Sequence, residues 1–305
     1  MKTVRLRLPA TSANLGPGFD AMALALELFL EIEATRGPSF SIAASGRNRD
    51  ICAGLSRNLL IETYGSILGE EQKPVVPLTV RMHNEIPVGM GCGSSAAVRL
   101  AGVALASAFG GLDWDAAAIL DRAVRLEGHP DNVAACWHGG LTIAASASQL
   151  AIVSIPPPHH WRALLVLPDT PVATAKARSM LPESYGRQDV VASVQNVALL
   201  TAAFALGRDD LMHLATRDRL HQPYRAELCP LLPALLPLAG RHGVMSVTLS
   251  GAGPAVMLLT QEPAEESKLE ATRKQAILEL ARPVGAVEIL PAGLCPEGTV
   301  VSRGE

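Results

Sequence analysis

No sign of charge dominates this chain, whose 305 residues carry a formal net charge of −3. So small an imbalance excludes a broad polyanion-binding surface, and nucleic acid is not expected as a main partner. Close cysteine pairs are also missing. Cys52, Cys92, Cys136, Cys229 and Cys295 are scattered, with no CxxC and no Cys/His cluster. That excludes zinc sites of the usual spacing, and the odd count fits a reducing compartment. The first twenty residues alternate charged and apolar types and lack the apolar run of a signal peptide. The most apolar stretches, 100–112 and 197–206, are too short to span a bilayer. A cytoplasmic globular protein with no membrane partner is expected.

What is present begins with alternation. Val4, Leu6 and Leu8 stand against Arg5 and Arg7, and the same period returns at 28–33 and 78–83, predicting half-buried strands. An Ala-rich helix follows residue 94, with Val98, Ala101, Leu105 and Ala108 on one face. A second helix is predicted from Asp113 or Asp115 to about Glu127. Strands at 141–145 and 150–155 precede Pro156-Pro157-Pro158, the strongest break in the chain. Beyond it come a strand at 163–167, helices at 174–181, 188–206 and 209–219, and strands at 244–249 and 255–259. A charged helix at 263–281 and a strand at 287–290 complete the pattern, and the tail Pro296–Glu305 is expected to be poorly structured. Strands and helices mix without regular alternation, which favours α+β in two domains joined near residues 150–160.

The glycine-rich turn Pro87-Val88-Gly89-Met90-Gly91-Cys92-Gly93-Ser94-Ser95-Ala96-Ala97 stands before the Ala-rich helix. Glycines let a backbone curl closely around a ligand. Ser94 and Ser95 are expected as helix caps, and the helix start offers unpaired N–H groups to an anion such as phosphate. A serine hydroxyl there can also ligate Mg²⁺. A dinucleotide fingerprint would need glycine at position 94, a Walker loop needs a Gly-Lys pair, and a hydrolase elbow needs GxSxG; none is present here. Taken alone, the turn is equally compatible with a ligand-free helix cap.

Three segments, Pro9–Asp20, this turn and Leu249–Pro254, together resemble the GHMP kinases, the family of galactokinase, homoserine kinase and mevalonate kinase. The first segment looks most like the homoserine kinase branch, as do Glu127–Asn132, Thr174–Arg178 and Gln222–Arg225. The resemblance implies an α+β, two-domain fold. Residues 1–155 would form a ribosomal-protein-S5-domain-2-like ATP-binding domain, and 156–305 a ferredoxin-like domain contributing substrate-binding residues. It also implies transfer of the γ-phosphoryl group of ATP, with Mg²⁺, to the side-chain hydroxyl of L-homoserine, and leaves open assembly as a homodimer. Two rivals stand beside this reading: another small-molecule kinase of the family acting on a hydroxy acid or sugar, and a kinase-fold protein that binds without turnover.

Each part of that chemistry has a candidate. A carboxylate is best held by a planar double donor, and the resemblance assigns that role to Arg178 and Arg225. Asp20 and Asn14 would accept from the ammonium group, although Asp20 could instead cap the following segment. Thr174 joins the substrate wall, with Thr11, Ser12 and the Gly16-Pro17-Gly18 turn beside it. His129, Asp131 and Asn132 would contact the reacting hydroxyl. Asp131 is the candidate base, by analogy with mevalonate kinase, but is expected to orient the hydroxyl rather than deprotonate it, because the loose transition state rewards alignment. Counting eight residues back from His129, as the resemblance directs, gives Asp121 as metal ligand with Ser95. Glu127 is the alternative, set aside because it would face away from Asp121 on one helix. Cys92, near the positive end of a helix, is expected to be alkylation-sensitive.

Overall fold

A computed structural model describes residues 2–146, 149–261 and 266–304. The first half of the chain builds one layered unit. Its strands are β1 (Thr3–Asn14), β2 (Gly18–Arg36), β3 (Ser41–Gly46), β4 (Leu78–Asn84), β5 (Leu141–Ala145) and β6 (Ala151–Ile155). Its helices are α1 (Arg49–Ala53), α2 (Leu59–Glu70), α3 (Ser94–Gly110), α4 (Ala116–Glu127) and α5 (Asp131–His138). β1, β2 and β4 are antiparallel neighbours, β3 lies parallel to β4, and β5 bridges β2 to β6.

The period-2 pattern explains the layering. Val4, Leu6, Leu8, Leu30, Ile32, Val80 and Met82 are buried in one core, while Arg5, Arg7, Glu31 and Arg81 face solvent. α3 fills that core with Ala96, Ala97, Leu100, Ala101, Ala104 and Leu105. Its small side chains allow close packing against α2, where Gly102 leaves no room for a Cβ beside Thr63. Asp115 caps α4 by accepting from the Ala118 N–H at 2.8 Å.

The second half contains β7 (Trp161–Pro168), α6 (Thr174–Ser179), α7 (Arg187–Ala205), α8 (Met212–Ala215), α9 (Gln222–Arg225) and α10 (Leu231–Leu235). β8 (Val244–Leu249), β9 (Val256–Gln261), α11 (Glu266–Ala281) and β10 (Val287–Gly293) follow. The four strands form an antiparallel sheet in the order β10-β7-β9-β8. Its own core joins Val166, Val247, Leu249, Val256 and Leu258 to Leu231, Leu235 and Ile277 of the helices. Trp161 and Phe204, both buried, meet edge to face with centroids 5.2 Å apart and fasten α7 to β7.

Two expectations fail. The segment 209–219 is no continuous helix: a 3₁₀ turn at Asp209–Leu211 leads into the four-residue α8. The tail is ordered as β11 (Val300–Gly304), which pairs antiparallel with β1, Thr3 opposite Gly304 and Arg7 opposite Val300. Cys295 already bonds Ala25 of the first sheet, so the chain leaves the second unit before its end. Among the described residues, no helix is long and apolar enough to cross a membrane.

Phe204→Ala should therefore destabilise the second unit by about 3–5 kcal/mol, through the cavity left beside Trp161. Urea unfolding followed by Trp fluorescence measures it, and a loss under about 1 kcal/mol would mean that α7 is held by other contacts.

Candidate active site

A cleft of about 400 Å³ runs between the two units. Its floor is made where three turns meet. Asn14, at φ 74°, donates from Nδ2 to the Gly251 carbonyl at 2.9 Å and accepts from the Asp20 N–H at 3.0 Å. Ser250 Oγ donates to the Gly91 carbonyl at 2.9 Å, and the Gly251 N–H donates to the Ala13 carbonyl at 3.1 Å. Gly91 can be only glycine: its φ is +79°, and a Cβ would overlap the Ser250 carbonyl.

The glycine-rich turn lines one side of the cleft through Val88, Gly89, Gly91, Cys92, Gly93, Ser94 and Ser95. Pro87, Met90, Ala96 and Ala97 do not line it; Met90 instead bonds Ala255, and the two alanines belong to the core. Neither serine is the cap that was expected. Gly93 (φ 73°) occupies that position, and Ala97 makes the first helical bond back to it at 3.0 Å. The N–H groups of Ser94, Ser95 and Ala96 thus have no intrahelical partner, as an anion-binding helix start requires. Cys92 lacks the exposed, acidified thiol that alkylation favours. It is 1% exposed, and burial pushes its pKa up to about 12, a penalty on the thiolate that outweighs proximity to the helix start.

Of the expected metal pair, Ser95 lines the cleft and Asp121 does not. Asp121 is half-buried on α4 and pairs with Arg125 at 2.9 Å. Glu127 lines the cleft: Ser95 Oγ donates to its Oε2 at 3.1 Å, and Arg99 Nε approaches the same oxygen at 2.9 Å. The two carboxylates do diverge, as their spacing demanded, but Glu127 is the one turned inward.

At the other end, His129, Asp131 and Asn132 sit where α5 begins. Asp131 is 2% exposed, and its Oδ1 accepts from His129 Nδ1 at 2.8 Å, the Asn132 N–H at 2.6 Å and Asn132 Nδ2 at 3.3 Å. Asn132 Oδ1 in turn accepts from Thr11 at 2.7 Å. The hydrogen bond to Asp131 raises the His129 pKa, against the opposing effect of burial. Ligand atoms of Asp20, His129 and Asp131 all lie within 4.8 Å of one another.

Arg178 grips Asp20 with a bidentate pair, Nη2 to Oδ1 at 2.6 Å and Nη1 to Oδ2 at 3.0 Å. Arg225 is 1% exposed, and its three hydrogen bonds go to neutral acceptors: the Ala177 carbonyl, His221 Nδ1 and the Gly251 carbonyl. Burial and the charge of Arg178 lower its pKa. A buried cation bonded only to neutral groups is a site that an anion would stabilise. Both guanidinium carbons lie over the Phe19 ring, at 5.7 and 5.3 Å from its centroid. Thr174 opens α6, but its side chain lies outside the described residues.

Sequence reasoning missed Phe19 and the apolar end of the cleft, where Ile51, Leu59, Met82, Ile86 and Val98 gather. It also missed Asn58, whose Oδ1 caps α2 by accepting from Leu60 and Ile61. The Asn-Leu-Leu start of α2 was the available signal.

Comparison with known proteins agrees with this geometry. The family model described as GHMP kinases N terminal domain matches residues 58–140, and the one described as GHMP kinases C terminal matches 202–278. The chain belongs to the GHMP kinase family. A homoserine kinase of Solibacter usitatus is 42% identical over 255 residues, 83% of this chain and 84% of the relative. One of Deinococcus radiodurans is 36% identical, covering 83% and 82%. The crystal structure of homoserine kinase from Cytophaga hutchinsonii superposes with a TM-score of 0.79 at 23% identity, covering 98% of this chain and 97% of that one. At that identity the likeness supports the fold alone. As a GHMP kinase, the protein is an ATP-dependent small-molecule kinase.

The raised His129 pKa carries a definite sign. Its pairing with Asp131 adds stability that is complete below the ordinary histidine value near 6.5 and fades as pH rises through the folded-state value. His129→Gln should therefore cost most stability near about pH 6 and clearly less by about pH 9. Urea midpoints across that range measure it, and a pH-independent cost would show that the pair is held as a neutral hydrogen bond.

Proposed function

We propose that this protein transfers the γ-phosphoryl group of ATP to the side-chain hydroxyl of L-homoserine, giving O-phospho-L-homoserine on the way to threonine. One observation carries the choice of acceptor: Arg225, buried and bonded only to neutral groups, lies beside the Asp20–Arg178 pair. A zwitterionic amino acid complements that arrangement. Its carboxylate would be held by Arg178 and Arg225, and its ammonium by Asp20, with Asn14 fixing the loop that presents Asp20. The high identity to homoserine kinases over most of the chain supports the same reading.

The nucleotide would lie along the cleft. The apolar end suits an adenine ring, and the turn from Gly89 to Ser95 suits the phosphates. Ser95 and Glu127 are a hydroxyl and a carboxylate already 3.1 Å apart, an oxygen donor pair of the kind Mg²⁺ prefers. Ser95 and Glu127 would hold Mg²⁺ there, which would supply neutralisation of charge on the phosphate oxygens. His129, Asp131 and Asn132 orient the acceptor hydroxyl. The three bonds to Asp131 all fall on Oδ1, so the carboxylate is held in one orientation before substrate arrives.

ADP release should be driven by L-homoserine and fall by orders of magnitude with 3-aminopropan-1-ol, which keeps the hydroxyl and ammonium but lacks the carboxylate. Equal turnover of both would refute the arginine assignment, and preference for mevalonate or a sugar would refute the acceptor. Separately, Glu127→Gln should lower kcat about a hundredfold, while Asp121→Asn should stay within about twofold, since it removes only a surface ion pair. The reverse ranking would favour Asp121 as the metal ligand.

A further inference from the structure

His221 is fully buried and lies one helical turn before Arg225, with the Arg225 N–H donating to the His221 carbonyl at 3.1 Å. His221 thus precedes the short helix α9 that Arg225 ends, and their side chains meet across that single turn. Arg225 Nη1 lies 3.0 Å from His221 Nδ1, and His221 Nε2 lies 2.8 Å from the Gly16 carbonyl. These contacts determine the tautomer. A guanidinium can only donate, so Nδ1 must accept, and the ring proton must sit on Nε2, where it donates to Gly16. The imidazole also stacks on Phe19, with centroids 5.2 Å apart and planes 26° from parallel.

We infer that His221 is a positioning residue for substrate carboxylate recognition: a neutral imidazole that aims Arg225 from behind and ties it to the Gly16 turn beside Asp20. The inference rests on the reading of Arg225 as a carboxylate clamp. Protonation at Nδ1 would set two donors against each other, so the neutral ring is the form that holds the arginine. Burial favours the same form, lowering the His221 pKa. Asp218 is the group that opposes it, with Oδ2 3.4 Å from Nε2. That carboxylate is already engaged by the backbone N–H groups of Leu220, His221 and Gln222, at 2.8, 3.0 and 2.6 Å. Arg225 and Asp20 are the other charged groups acting on the ring, one disfavouring and one favouring its protonation.

Two amide substitutions divide the imidazole into its halves. The Asn amide reaches the place of Nδ1 and can offer an oxygen to Arg225. The Gln amide reaches the place of Nε2 and can donate to Gly16. His221→Gln should raise KM for L-homoserine about tenfold or more, with KM for ATP unchanged, because it removes the acceptor that aims the arginine. His221→Asn should stay within about threefold of the parent. Combined with Arg225→Lys, His221→Gln should raise KM no further than Arg225→Lys alone. Equal effects of Gln and Asn, a parallel rise in KM for ATP, or additivity with Arg225→Lys would each overturn the inference.

¹⁵N NMR of the full chain gives a reading independent of turnover and of any variant's folding. The Nε2–H tautomer should persist from about pH 6 to about pH 8; an Nδ1–H tautomer or an imidazolium at neutral pH would overturn the inference. If the parent enzyme did not phosphorylate L-homoserine, the acceptor reading would fall, while the tautomer would still decide the geometry claimed for His221.

Discussion

Three backbone turns from distant parts of the chain meet in direct contact, bridged by the Asn14 and Ser250 side chains, and the cleft lies where they do. Gly91 presses against Ser250, Gly251 touches Ala13 and Asn14, and Ser250 Oγ closes the gap to Gly91. Any Cβ at position 91 would push the Ser250–Gly253 turn away. The same contact ties the glycine-rich turn to Arg225, which bonds the Gly251 carbonyl. In-line transfer depends on alignment more than on acid–base strength, so backbone packing here sets chemical competence.

The two ends of the cleft handle charge by different means. At the glycine-rich turn, the donors built into the backbone are uncharged N–H groups at the start of α3, which need no counter-ion. At the acceptor end, formal charges crowd together: Asp20, Asp131, Arg178 and Arg225, with His129 able to join them. Burying such groups is tolerable only when each is paired or well hydrogen-bonded. Asp20 and Arg178 pair with each other, and Asp131 is surrounded by donors. Arg225 relies on neutral acceptors, and a buried cation so placed is one that an anion would stabilise.

Much of this could be read in advance wherever periodicity or a run of motif residues carried the signal. Strands β1, β2 and β4 announced themselves by alternation, and Asn14, Asp20, His129, Asp131, Asn132, Arg178 and Arg225, singled out by their motifs, line one cleft. The departures share a cause: a linear feature was used where a three-dimensional one decides. Cys92 lies near a helix start, but its burial cannot be counted from neighbours in sequence. Asp121 and Glu127 share a helix, and only the packing of α4 against α3 determines which one turns toward Ser95. The apolar end of the cleft draws on α1, β4, α2 and α3 and has no local pattern of its own.

The return of the chain to its starting sheet has a consequence for how the molecule is made. β1 runs along the edge of the first sheet until β11 covers it, and the partners of Thr3 to Arg7 are residues 300–304. During synthesis that edge stays open while the whole second unit is translated. Its unsatisfied N–H and C=O groups must meanwhile remain in water or meet the wrong strand. The alternating Arg5 and Arg7, set against Glu31 and Glu33 on the neighbouring strand, give the waiting edge a charged, solvated face. A ribbon of that kind is a poor template for another chain, so the charges that contribute little to the finished fold guard its unfinished one.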